Sequence, residues 1–204
     1  MMELVYSPAN SGSTSYLLKL AVDNAVKGHK VLVASPELKE RDMLKKMYAY
    51  SEYHDYIEQN IDVCSLPFSS DSFNILKNFL RGKYKYHTII VDCASMMLSF
   101  TSNTTSSEAI QEIKSRCEVI ICGMQMHRDR VIAKPIISAP HYLFPWVNRI
   151  TQLQLLRDRS LDGNSTVLLN VSKTDDIHSN MKLNYEESYT FEQVKNFAVR
   201  LVRI

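Results

Sequence analysis

Short runs that are apolar at nearly every position alternate along this chain with segments whose apolar residues recur every three to four positions. Residues 4–6, 30–35 (KVLVAS), 61–66, 86–92 (YHTIIVD) and 119–123 are runs of the first kind. Strands of that composition are covered on both faces, as in a parallel sheet. Residues 14–27, 39–50, 72–80 and 108–115 have helical spacing. In the first of these, Leu17, Leu18, Ala21, Val22 and Ala25 form one stripe, and Lys27-Gly28 supplies a last-turn cation and a terminating glycine. Ser70 or Asp71 is placed to cap the helix over 72–80. The order predicts an α/β fold, a mostly parallel central sheet flanked by helices. Residues 101–107 (TSNTTSS) predict a polar surface loop.

The pattern changes after Gly123. Residues 124–148 have no clean period and hold Pro135, Pro140 and Pro145, which predicts a long irregular loop of the kind that carries function. Residues 149–156 and 166–172 read as two strands joined around Asp162-Gly163-Asn164, a β-hairpin. Residues 191–203 read as a C-terminal helix, opened by Thr190 with Gln193 three positions on. The chain is expected to be a single domain over 1–204, with its core in 3–172 and a tail in 173–204. No internal repeat interrupts it.

Composition narrows the function. The longest apolar runs are far shorter than the ~20 residues a membrane span needs, and the first residues have no basic-then-apolar leader pattern. Neither a membrane association nor a secretory signal is expected, and the expected location is cytoplasmic. Net charge is +2, with 24 Lys+Arg against 22 Asp+Glu; residues 1–123 carry 13 basic and 14 acidic side chains, and the rest 11 and 8. Nucleic-acid binding would therefore be local rather than a property of the whole surface. The four cysteines, Cys64, Cys93, Cys117 and Cys122, form no C-x-x-C pair and sit in or beside apolar runs. They read as buried reduced thiols, not as a zinc site or a disulfide framework. Only five of 204 residues are glycine, so any loop that needs one has few to use.

The first strand runs through Ser7-Pro8-Ala9-Asn10-Ser11-Gly12-Ser13-Thr14 into a helix. The phosphate-binding pattern G-x-x-x-x-G-K-[ST] occupies that strand–loop–helix context. Aligned on it, Ser7 replaces the first glycine and Ser13 the lysine, while Gly12 and Thr14 are kept. Gly12 permits a tight turn. The amides of Ser13, Thr14 and Ser15 would emerge at a helix N-terminus, where anions bind. The Thr14 hydroxyl could reach Mg²⁺. A ligand-free helix cap is the other reading of the same string.

From Tyr6 to Met47 the chain resembles the RecA-like P-loop ATPase superfamily, most nearly the C-terminal domain of DnaB-type replicative helicases. Ser35-Pro36-Glu37-Leu38 stands where that family has its Ser-x-Glu motif, so the resemblance implies Glu37 as the catalytic base for the attacking water. Its alternative is a helix-turn carboxylate stabilised by the helix dipole. Thr88-Ile89-Ile90-Val91-Asp92 resembles the Walker B strand, which implies Asp92 as a Mg²⁺ partner alongside Thr14. Val119 to Gln125 resembles the next core strand, with Gln125 as the γ-phosphate sensor. The resemblance also implies that the 119–123 strand lies between the first strand and the Asp92 strand. It covers roughly 3–172, and the extra N-terminal domain by which such helicases assemble is not expected here.

Two departures from the family pattern shape the expected activity. Ser13 leaves no lysine to meet the β- and γ-phosphates, and Lys19 leaves the helix at a different azimuth. Near the last hairpin, Lys173 matches the family's lysine, but its arginine finger has no match; Arg157 and Arg159 are nearby. The resemblance therefore implies ATP with Mg²⁺ as cofactor, bound weakly or not at all, and little hydrolysis. It implies an accessory or regulatory factor of DNA replication or recombination. The implied partners are single-stranded DNA, a helicase or recombinase, and further copies of the chain. Arg128, Arg130, Lys134 and Trp146 would contact the DNA, cations on phosphates and the ring on a base. An active ATPase with a divergent loop, and an interaction module with neither nucleotide nor DNA, are the alternatives. The usage of Asn, Ser, Tyr, Lys and Ile hints at an AT-rich genome of a phage or bacterium.

Overall fold

A computed structural model describes residues 1–7, 12–82, 85–94, 97, 102–117, 119–128, 135–137, 147–156, 166–173, 183–194 and 198–203. The first half alternates strands and helices as the periodicity predicts. The strands are β1 (Met2–Ser7), β2 (Val31–Ser35), β3 (Ile61–Ser65), β4 (Thr88–Val91) and β5 (Val119–Arg128). Between them come α1 (Ser13–Val26), α2 (Glu40–Met47), α3 (His54–Asn60), α4 (Asp71–Arg81) and α5 (Asn103–Arg116). The second half is β6 (Pro135–Ile137), β7 (Arg149–Leu156), β8 (Thr166–Lys173), β9 (Leu183–Val194) and β10 (Ala198–Arg203).

Among the described residues the sheet order is β10-β9-β8-β7-β1-β5-β4-β2-β3, with β6 paired to β5. Neighbouring strands from β7 to β3 are parallel, and β7 to β10 form an antiparallel meander. β5 separates β1 from the Asp92 strand, as the resemblance implies. Successive residues of β2 enter opposite cores, which is why the run is apolar throughout. Leu32 and Ala34 pack with Ile89, Val91 and the inner faces of α4 and α5. Val31 and Val33 pack with Ile90 and the Leu17, Leu18, Ala21 and Ala25 stripe of α1.

A buried carboxylate joins β1 to β7. Glu3, 3% exposed, accepts from Thr151 Oγ1 at 2.6 Å and lies 3.6 Å from Arg149 Nε. Burial pushes its carboxyl above the ordinary range, against the pull of Arg149 and Thr151.

Three expectations are corrected. The tail is not helical: residues 183–194 and 198–203 are the paired strands β9 and β10, with Ala198 opposite Val194 and Arg203 opposite Tyr189. The capping box at Thr190 loses to the upstream alternation Leu183, Tyr185, Tyr189, Phe191, a period-2 aromatic pattern that extends the β7–β8 hairpin by another strand. Residues 103–107 are the first turns of α5 and not a loop. Ser102 caps it, its Oγ accepting from the Thr105 amide at 3.2 Å, so the polar string is a helix start. Finally, β5 runs on to Arg128 and turns back into β6, with Met126 opposite Ile137 and Arg128 opposite Pro135. The start of the expected loop is thus a hairpin. The expected 149–156 and 166–172 hairpin is present, with Leu156 opposite Thr166. Cys64, Cys93 and Cys117 are buried free thiols, as expected.

Ile90, fully buried at the centre of the sheet, and Phe68, 48% exposed after β3, test this assignment. Ile90→Ala is expected to cost about 3 kcal/mol of unfolding free energy in urea titration. Phe68→Ala should stay within about 0.5 kcal/mol.

Candidate functional site

The site forms where β1, β2 and β4 end and α1 begins. Gly12 sits at the start of α1 with φ 87 and ψ 17, the left-handed region where a side chain is strained, and its carbonyl accepts from the Tyr16 amide at 2.9 Å. That geometry explains why one of so few glycines is here. The amides of Ser13, Thr14 and Ser15 open the helix, where no carbonyl of the helix itself can pair them. The first turn of α1 holds no acidic residue of its own, so the positive end of the helix dipole is free of a carboxylate from within the helix. Residues 8–11 of the loop lie outside the described residues.

Asp92, just beyond β4, is 3% exposed. Its backbone amide donates to Ala34 O at 2.9 Å, which pins it beside the end of β2. Its carboxylate accepts from Thr14 Oγ1 at 3.0 and 3.2 Å and lies 3.4 Å from Ser35 Oγ. Burial pushes this carboxyl above its usual range; the Thr14 hydroxyl pulls it back, and the nearby charge of Glu37 raises it again. Thr14 and Asp92 belong to two motifs 78 residues apart, and the fold brings them into contact.

Ser35 has a role that its place in a motif does not announce. Fully buried, its Oγ accepts from the amides of Glu37 at 3.2 Å and Leu38 at 3.1 Å. The same atom touches Asp92, so one hydroxyl fixes the Glu37 backbone relative to the buried carboxylate. A small hydroxyl residue directly after an apolar strand and two before a carboxylate is the signal in the sequence. Glu37 itself is exposed. Cys93 follows Asp92 at φ 51, an uncommon backbone for a residue with a side chain. Burial and the neighbouring Asp92 and Glu37 charges push its thiol well upward, so it stays protonated.

The donor set suits Mg²⁺: a carboxylate and a hydroxyl are hard oxygen ligands, and the helix start suits an anion. What the set lacks is a cation at position 13. Lys19 does not supply one, since its ammonium pairs with Asp23 one turn along α1. Gln125 lies on β5 directly opposite Ser7 of β1, so the backbone register brings it to the same end of the sheet. Arg128 is three residues further along β5. Arg130, Lys134 and Trp146, and Arg157 and Arg159, lie outside the described residues. Lys173 ends β8 opposite Arg149. Among the described residues no group of three or more His, Cys, Asp or Glu could hold a metal by itself, and no helix is long and apolar enough to cross a membrane.

A family model described as thymidine kinase matches residues 1–158. The chain belongs to the thymidine kinase family. Solved structures give the fold. The ATPase domain of a DnaB helicase superposes with a TM-score of 0.67 at 14% identity, over 100% of this chain and 84% of that one. A KaiC-like protein of Pyrococcus horikoshii OT3 gives 0.64 at 12%, over 98% and 88%. The flagellar accessory protein FlaH of Methanocaldococcus jannaschii gives 0.63 at 13%, over 98% and 88%. No curated protein sequence matches the chain. The RecA-like P-loop ATPase fold read from the sequence is thus the fold of this thymidine kinase family member.

The buried carboxylate has a measurable consequence. Asp92 holds its proton more tightly folded than unfolded, so its ionisation destabilises the fold as pH rises from the ordinary carboxylate value through the folded one. Asp92→Asn keeps an acceptor for Thr14 and removes that charge. It is expected to raise the unfolding free energy of the ligand-free protein at pH 7 by on the order of 1 kcal/mol, and to flatten its acid dependence. Thermal unfolding between pH 4 and pH 7 checks both.

Proposed function

We propose that this protein binds a nucleoside triphosphate with Mg²⁺ at the start of α1 and transfers its phosphate slowly or not at all. On this reading it is an accessory or regulatory factor that works with single-stranded DNA or with a helicase or recombinase. The observation that carries the nucleotide reading is the Thr14–Asp92 contact, 3.0 Å between two buried or half-buried oxygen ligands beside the helix-start amides. Mg²⁺, when bound, supplies charge neutralisation on the phosphates. Gly12 turns the chain, the amides of Ser13, Thr14 and Ser15 hold phosphate oxygens, and Thr14 with Asp92 holds the metal. Glu37, anchored through Ser35, is the base that takes a proton from the attacking water. Gln125 senses the terminal phosphate from the next strand.

The reading of weak catalysis follows from Ser13. A neutral hydroxyl leaves transition-state charge on the phosphates uncompensated, and the missing charge-assisted bond costs on the order of 10³-fold in rate. For DNA, support comes from Arg128, Arg130, Lys134 and Trp146, a basic and aromatic sequence after the sensor strand.

One specific observation favours a second reading. Membership of the thymidine kinase family over residues 1–158 suggests that the phosphoryl acceptor is a nucleoside hydroxyl instead of water. The same residues then serve transfer to thymidine, with Glu37 taking the proton of the acceptor.

Calorimetric titration with ATP and Mg²⁺, followed by turnover assays with and without thymidine, separates the readings. Binding with turnover at background is expected, along with loss of Mg²⁺-dependent binding in Asp92→Asn. Ser13→Lys should tighten nucleotide binding about tenfold or more, the value of one charge-assisted contact. Thymidine phosphorylation by the unmodified protein, abolished by Glu37→Gln, would establish the second reading. Absence of any ATP binding would overturn both.

A further inference from the structure

The opposite end of the strands carries a second charged feature. Residues 72–91 contain Lys77, Arg81, Lys83 and Lys85 and no Asp or Glu. Lys77 and Arg81 lie on α4 and Lys85 in the approach to β4, so these three cations gather where the parallel strands begin and not where the Thr14–Asp92 site lies. α5 packs beside α4 and ends at the same level, adding Lys114 and Arg116 in its last turn.

Three of these cations converge on one carboxylate. Lys77 Nζ lies 3.0 Å from Glu112 Oε2, while Arg81 and Arg116 approach Oε1 at 3.4 and 3.3 Å. The Lys77 hydrogen bond and the combined charge of the three cations pull the Glu112 carboxyl below its ordinary range. Glu112 cancels one of the three charges and holds the other two in place across two helices. Lys85, exposed in the approach to β4, extends the patch; Lys83 lies outside the described residues. Part of this charge answers the negative ends of the α4 and α5 dipoles. Each dipole amounts to only about half a charge, and surface ion pairs of this kind add little stability. Stability alone therefore gives weak reason for so many cations in one place.

We infer that the Lys77–Arg81–Arg116 cluster binds the sugar-phosphate backbone of a nucleic acid. This surface is distinct from the nucleotide site and does not depend on that site's reading. Arginine forks match phosphate oxygens two at a time. Neutralising a row of phosphates releases counterions, which needs no apolar contact. The two other polyanionic partners want something that the described residues of the patch do not offer. A protein partner needs a buried apolar or aromatic anchor at its centre, and a membrane surface favours apolar insertion beside the cations. The exposed large apolar side chains among the described residues are Met1, Tyr56 and Phe68. None of them is on α4, on α5 or in the lead into β4.

The test is fluorescence anisotropy with a labelled 30-nucleotide single strand and its duplex, from 50 to 200 mM salt. Lys77→Gln/Arg81→Gln/Arg116→Gln should weaken binding at least tenfold at 50 mM. It should also lower the log–log salt slope by about 0.7–0.9 for each phosphate no longer engaged. Glu112→Gln should do the reverse and tighten binding, because it removes the competing carboxylate. A cluster that only ties α4 to α5 would instead leave affinity unchanged and lower the melting temperature in both variants, and that result overturns the proposal. Equal competition by poly-glutamate or by anionic vesicles would overturn it too, in favour of an acidic protein or a membrane. If Arg128→Gln/Arg130→Gln/Lys134→Gln abolishes binding while the helix triple variant binds normally, this proposal fails and DNA binding through residues 128–134 stands. If the helix variant alone loses binding, the reverse holds. No DNA binding by the unmodified protein at 50 mM salt sinks both.

Discussion

Taking the Asp92 carboxylate out of water is the constraint around which this end of the molecule is arranged. A buried carboxylate must be given hydrogen-bond donors or it becomes a large penalty. Here those donors come from two other elements: Thr14 from the first turn of α1 and Ser35 from the end of β2. Meeting that requirement fixes the relative positions of three strand ends and one helix start. β5 lies between β1 and β4 in the sheet, and the first turn of α1 meets the end of β4 where Thr14 donates to Asp92.

Much of this is legible in the sequence because of burial. A strand covered on both faces is apolar at nearly every position, so β2, β4 and β5 declare themselves; Asp92 lies where the β4 run stops, and Gly12-Ser13-Thr14 opens the helix that follows β1. What is illegible follows equally from physics. α3 packs through Ile57 alone among its residues, which gives no stripe to read. The polar string that opens α5 reads as a loop because serine and threonine favour both turns and caps, and only the Ser102–Thr105 contact decides. Residues 191–203 satisfy a helical period and a β alternation at once. Their state is set by the strand they pair with, which is tertiary information.

Fold and family are different kinds of knowledge for this chain. The RecA-like sheet is shared with a helicase ATPase domain, a KaiC-like protein and FlaH at 12–14% identity, a range in which architecture persists while chemistry diverges. The family match narrows the ancestry to kinases. Ser13, at the very start of α1, belongs to neither core, so the packing of the fold does not depend on its side chain.

β1 is made before the other strands, yet its two neighbours are β5 and β7. The Met2 amide donates to the Asn148 side chain, and the Asn148 amide donates back to Met2 O. During synthesis, β2 and β3 can pair early, while β1 must wait for its second neighbour until β7 has left the ribosome. Contacts that remote are the slow ones to form. A chain truncated before β7 would lose four strands of the sheet, β7 to β10, and leave β1 unpaired along one whole edge.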